Sequence, residues 1–146
     1  MLSAKDVARF FIKKGSDEDD DITNLKLQKL LYYAQGFHLA LFGKPLFEED
    51  IKAWTHGPVV PEVYHKYKKY GKNPLPVEGV DDVMKNLTDD QIDFLYEIWS
   101  VFGQYSPWKL RDMTHQEKPW MDHEKDASVI SKDELKDYFS TRVEED

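Results

Sequence analysis

The sequence has no cysteine among its 146 residues. That absence excludes a disulfide framework, a structural zinc site built on thiolates and every mechanism with a cysteine nucleophile, and it fits an intracellular home. Long apolar runs are missing too. No stretch approaches the ~18–20 residues needed to span a bilayer. The start, Met1-Leu2-Ser3-Ala4-Lys5-Asp6, lacks the basic and apolar regions of a signal peptide. The expectation is a cytoplasmic protein with no membrane contact. Basic charge is scarce as well: 20 Lys+Arg stand against 28 Asp+Glu, a formal net charge of -8. A whole-body contact with duplex DNA is therefore disfavoured, because neutralising phosphates needs clustered Lys and Arg.

Familiar chemical motifs are also lacking. The 7 glycines form neither Gly-x-Gly-x-x-Gly nor Gly-x-x-x-x-Gly-Lys-Ser/Thr, and they fall where turns and helix ends already explain them. A Gly-x-Ser-x-Gly elbow does not occur. The 5 histidines make no His-Glu-x-x-His or His-x-x-Glu-His pattern. His115 and His123, with Asp112, Asp122 and Glu124, come nearest to a mixed metal site, but nothing in their spacing fixes a ligand geometry. The acid run Asp17-Glu18-Asp19-Asp20-Asp21 places Ile22 and Gln28 where a calcium loop needs Gly and Glu, so it reads as a solvated loop. No catalytic residue, metal or cofactor is nominated.

What is present is a core. The chain is 40% hydrophobic and 14% aromatic, and at this length folding buries roughly 68–70% of the chain's surface. One domain over residues 1–142 with a short acidic tail, 143–146, is expected. Ser3 with Asp6 opens a first helix to about Lys14, where Gly15 supplies a left-handed stop. Thr23 caps a long second helix to Phe42, with Leu27, Leu30, Leu31, Ala34, Phe37, His38 and Leu41 at helical spacing, stopped by Gly43. Leu46 to Trp54 reads as one or two short strands. Pro61 starts a third helix that runs toward Gly71, and Val83, Met84 and Leu87 fit one isolated turn. Thr88 with Gln91, Ser106 with Pro107, and Ser131 with Glu134 open three more. The fold class is mainly α: five or six helices with a small β-hairpin or strand pair in the first half.

Two sets of side chains offer binding surface. Lys66, Lys68, Lys69 and Lys72 interleave with Tyr64, Tyr67 and Tyr70, a pattern that can stack bases and hold phosphates. The simpler reading makes Val63, Tyr64 and Tyr67 a buried stripe and the lysines its solvated face. Nucleic acid is therefore not the expected partner. Of the 4 tryptophans, Trp99 sits on a core face, whereas Trp54, Trp108 and Trp120 adjoin Gly or Pro in turns, where a ring packs or serves as a half-exposed anchor for a protein partner.

Three blocks carry a family resemblance: Leu25-Lys26-Leu27-Gln28-Lys29-Leu30-Leu31-Tyr32-Tyr33-Ala34-Gln35-Gly36, then Lys44-Pro45-Leu46-Phe47, then Ala53-Trp54-Thr55-His56-Gly57-Pro58-Val59-Val60-Pro61-Glu62-Val63-Tyr64. They closely resemble the Panacea domain, also called the SocA-like or GepA-like phage-associated antitoxin domain. The likeness extends to Leu110, Thr114-His115-Gln116-Glu117, Pro119-Trp120 and the closing segment from Ile130 to Phe139. It implies a mainly helical fold and a bacterial or prophage antitoxin that binds a protein toxin, often encoded next door, and blocks it. It also implies an alternative, a proteolytic adaptor that delivers the toxin to a protease. A small hydrolase that uses His56, His115 and nearby acids to reverse the toxin's effect is a further alternative. The acidic chain suits a basic toxin, since opposite fields speed encounter.

In this reading Gly57-Pro58 turns the chain from strand into the third helix, with Trp54 packed beneath and His56 projecting. Together with the Thr114-to-Trp120 turn it frames a recognition groove, whose partner-binding residues are Trp54, His56, Pro58, Tyr64, Trp108, His115 and Trp120. The simpler reading has the same motifs serve packing alone, as aromatic and Gly-Pro motifs usually do.

Overall fold

The computed structural model describes residues 2–143. Within them the chain forms α1 (Ala4–Asp17), α2 (Asn24–Phe42), β1 (Ile51–Trp54), β2 (Gly57–Val59) and α3 (Pro61–Tyr67), which a 3-10 turn extends over Lys68–Tyr70. There follow α4 (Val80–Asn86), α5 (Asp89–Phe102), α6 (Pro107–Thr114), α7 (Lys118–Met121), β3 (Val129–Ile130) and α8 (Lys132–Ser140). The expected tail residues 144–146 lie outside the described part.

Helix α2 is the axle. Thr23 caps it by accepting the Lys26 amide, and Gly43, at φ 72, closes it in the left-handed conformation that a side chain would strain. From Lys26 to Gly36 every residue is buried, so this helix is enclosed all round rather than striped. α8 lies along it, and Gly36 is what permits the approach: a Cβ there would fall 2.2 Å from the Phe139 ring. Tyr33 stacks on Phe102 at 4.0 Å, and Tyr32, Tyr33 and Phe37 meet Phe139 edge-on. Past Ala40 the helix leaves the core, and Leu41, expected inside, is exposed.

The sheet runs β2-β1-β3, all antiparallel, with Lys52 opposite Val59 and Ile51 opposite Ile130. Thr55 and His56 make the β1–β2 turn, and Gly57 at φ 110 resumes the strand. Gly57-Pro58 thus belongs to β2 and does not turn the chain into α3, as the sequence suggested. Proline is tolerated there because β2 is an edge strand. The turn into α3 comes at Val60, with Pro61 in the first turn of the helix.

Among the described residues there are eight α-helices, where five or six were expected. The two beyond the six are α4, seven residues long where one isolated turn was expected around Val83 and Met84, and the four-residue α7, which was not foreseen. α7 is too short for a 3.6-residue pattern to emerge, and α4 shows barely one turn of it. β3 is two residues long and equally silent in sequence. α1 continues past Lys14 to Asp17, because Gly15 is a helical residue pressed on its surroundings and not a left-handed stop: a Cβ would meet the Asp20 carbonyl oxygen at 2.6 Å. The left-handed residue is Asp19, at φ 55. The reciprocal capping boxes at Ser3/Asp6 and Thr88/Gln91 are formed. At α8 only Ser131 caps, and the Glu134 carboxylate turns instead to His123.

Candidate functional site

The polar residues of the Leu25–Gly36 block lie in the interior and tie several separate segments of the chain to α2. The Lys26 ammonium donates to the Gly103 carbonyl at 2.6 Å, at the end of α5. Gln28 accepts the Val60 amide at 2.8 Å and donates to Asn24, which itself donates to the Tyr64 carbonyl at 3.2 Å. Gln35 accepts the Leu46 amide at 2.8 Å and donates to the Phe47 carbonyl at 2.7 Å. Tyr32 and Tyr33 donate to the two oxygens of Glu117 at 2.9 and 3.0 Å. Burial raises the Glu117 carboxyl above its ordinary range, and the two hydroxyls pull it back. Burial also raises both tyrosines, and Glu117 adds to it. Sequence reasoning placed the apolar residues of α2 inside and assigned no role to these polar ones. Apolar periodicity carries no signal for a polar residue that is buried because it is paired.

A cleft of about 720 Å³ opens where the start of α2, the β1–β2 turn, α3 with its 3-10 extension and the start of α6 converge. Trp54, His56, Tyr64 and Trp108 line it. Trp54 and Tyr64 meet edge to face at 5.1 Å. His56 stands edge-on to Trp108 at 6.1 Å and accepts a hydrogen bond from Arg111 Nε at 3.3 Å, while the Arg111 guanidinium lies 5.5 Å from the Trp108 ring centre. Trp108 is 56% exposed, a large ring held at the surface.

Lys29 contributes to the wall from below. It is 0% exposed, its ammonium donates to the Pro58 carbonyl at 3.0 Å, and burial, helped by the positive charge of Arg111, lowers it to about 7. Gly57 is the lid over this side chain. A Cβ there would come 2.6 Å from Lys29 Cε and 2.9 Å from Thr114 Oγ1, so glycine is required by space as well as by its φ.

The other three nominated residues do not line the cleft. Pro58 is buried and supplies the carbonyl for Lys29. Trp120 donates its indole N–H to the Trp54 carbonyl at 2.7 Å and stacks on His115 at 3.9 Å, with 9° between the planes. Burial lowers the His115 imidazole, and Arg111 adds to the effect. The Thr114-to-Trp120 turn therefore braces the hairpin from behind. His123 pairs with Ser128 and Glu134, away from His115. Among the described residues no group of three or more His, Asp and Glu is arranged to hold a metal ion.

The sequence profile described as Antitoxin SocA-like, Panacea domain, matches residues 27–121. The chain belongs to this family. The matched span runs from α2 through α7 and carries Lys29, Trp54, His56, Gly57, Trp108 and Glu117. The protein named Antitoxin SocA from Caulobacter vibrioides (strain NA1000 / CB15N) is 41% identical over 70 residues, which is 48% of this chain and 37% of that protein. The match thus spans little more than a third of that relative. No solved structure matches. No described helix is long and apolar enough to cross a membrane.

Proposed function

We propose that this protein is an antitoxin that neutralises a protein toxin by binding it directly, with the Trp54–Trp108 cleft at the centre of the contact. The observation that carries this reading is membership of the SocA-like family together with 41% identity to a protein named as an antitoxin. The cleft supports it physically. Interfaces draw most of their energy from a few tryptophans, tyrosines and arginines near their centre, and here two tryptophans, Tyr64 and Arg111 gather around one concave site. A stable complex buries roughly 1,600 Å² in total, so the cleft is the middle of a larger footprint that occludes the toxin or holds it in an inactive form.

The test is growth rescue. The toxin encoded beside this protein is induced in a bacterial host with and without it, while the toxin's level is followed. Rescue at an unchanged toxin level is the expected result. Rescue with falling toxin would replace direct neutralisation by delivery to a protease, and absence of rescue would overturn the antitoxin reading.

A further inference from the structure

The cleft has a charge of the opposite sign to the protein that carries it. The chain is net -8. Yet the side chains around the cleft include Lys29, Lys68, Lys72 and His56 and no aspartate or glutamate. Lys29 is the most informative of them. The Pro58 carbonyl is its one hydrogen-bond acceptor among the described residues, and it takes part in no ion pair there. The charged and titratable groups that act on it from the packed elements are Arg111 of α6 and His115 just past its end. Neither is an acid. A buried amine in this setting lacks the counter-charge that buried ammonium groups ordinarily have.

Resting on the antitoxin reading, we propose that the cleft receives an acidic segment of the protein partner, with an aromatic or apolar side chain lodged between Trp54 and Trp108 and adjacent carboxylates held by Lys68, Lys72 and His56 above Lys29. The volume suits one or two side chains, since sites of about 300–1,000 Å³ enclose compact groups. Seated carboxylates supply the negative charge missing around Lys29, and the low local dielectric strengthens that attraction. Binding then favours the protonated amine, so the segment is taken up together with a proton near neutral pH. A peptide fits better than a nucleic acid strand. The chain as a whole is net -8, which weighs against a phosphodiester strand, since holding one takes many neutralised phosphates. A peptide carries its charge only where the cleft answers it. The overall acidic field still favours encounter with a basic toxin, and the cleft then selects one acidic stretch of it.

The experiment uses the full chain and three fluorescein-labelled probes: a ten-residue peptide alternating Glu with Trp and Phe, the same peptide with Gln for every Glu, and an eight-nucleotide RNA. Binding is followed by anisotropy for the wild type, the Lys68→Glu/Lys72→Glu variant and the Lys69→Glu variant. Lys69 is an exposed neighbour that does not line the cleft, so its variant controls for net charge. The Glu peptide should bind saturably, and both the Gln peptide and the double variant should weaken binding by at least about tenfold. Lys69→Glu should leave it nearly unchanged. Equal binding of the Glu and Gln peptides, no effect of the double variant, or no binding at all would overturn the proposal, and tighter binding of the RNA would assign the cleft to nucleic acid. Growth rescue by the wild-type chain separates the two readings. Rescue without peptide binding refutes the acidic-segment cleft and leaves the antitoxin, whereas peptide binding without rescue does the reverse.

Discussion

Lys29 and Glu117 are both buried ionisable groups reached from the same helix, and they are served very differently. Glu117 receives two tyrosine hydroxyls from α2, one on each oxygen, inside the aromatic cluster of Phe102 and Phe139. Lys29, one helical turn toward the N-terminus from these tyrosines, has a single backbone carbonyl and one cationic neighbour, Arg111, and it lies against a cleft. A charge satisfied on every side holds a fold together; a charge left short of partners beside an opening is poised for something that arrives. The polar block of α2 therefore holds two different arrangements in one stretch of sequence, a clasp at the Tyr32–Tyr33 end and, on our proposal, the floor of a binding cleft at Lys29.

Breaking the clasp should have the largest effect. Glu117→Ala leaves two buried hydroxyls without an acceptor and should destabilise the protein by about 3 kcal/mol, read as a fall in the urea midpoint. Glu117→Gln keeps one acceptor oxygen and should cost clearly less. Next comes the lid. Gly57→Ala forces a side chain into φ 110 and against Lys29, and should cost about 2 kcal/mol by the same measurement.

The two charges should also be told apart by pH. Lys29 is lowered to about 7 in the folded state from 10.5, so between these values the unfolded chain binds more protons. Its contribution to stability rises with pH across that window and is lost as pH falls toward 7. Lys29→Met removes this dependence, and its stability relative to wild type should be greater at pH 7 than at pH 10. Glu117 has the opposite sign. Its carboxyl is raised from 4.5, so its contribution is full below 4.5 and declines as pH rises through the folded value. A Lys29→Met difference that stayed flat from pH 7 to 10 would show that the amine is not held in a desolvated site.

Much of this fold is legible in the sequence, and the reasons are local. Ser3/Asp6, Thr88/Gln91 and Ser106-Pro107 name their helix starts because a capping hydrogen bond spans three residues. Gly57 is the opposite case. It reads as a turn residue, while its function is to let Lys29 and Thr114 pass beneath a strand, a fact set by residues 28 and 57 positions away along the chain. α7 and β3 are too short to show a period, and the pairing of β1 with β3 joins segments nearly 80 residues apart. For the nominated site, the turn motifs come together in space. Trp54, His56, Tyr64 and Trp108 converge on one cleft, whereas Pro58, paired with Ala53 next to Trp54, faces the other side of the hairpin, and His115 and Trp120, past α6 and in α7, stand behind it. Lys29 escaped notice because a lysine next to Gln28, on a helix whose apolar set is already filled by Leu27, Leu30 and Leu31, reads as a solvated position until the strand above it is known.

The most direct test of this division is growth rescue by Trp108→Ala, a substitution at an exposed ring that does not belong to the core cluster. An unchanged melting temperature together with loss of toxin neutralisation at matched protein level is the expected result. Full rescue by Trp108→Ala would contradict the assignment of the cleft as the surface that meets the toxin.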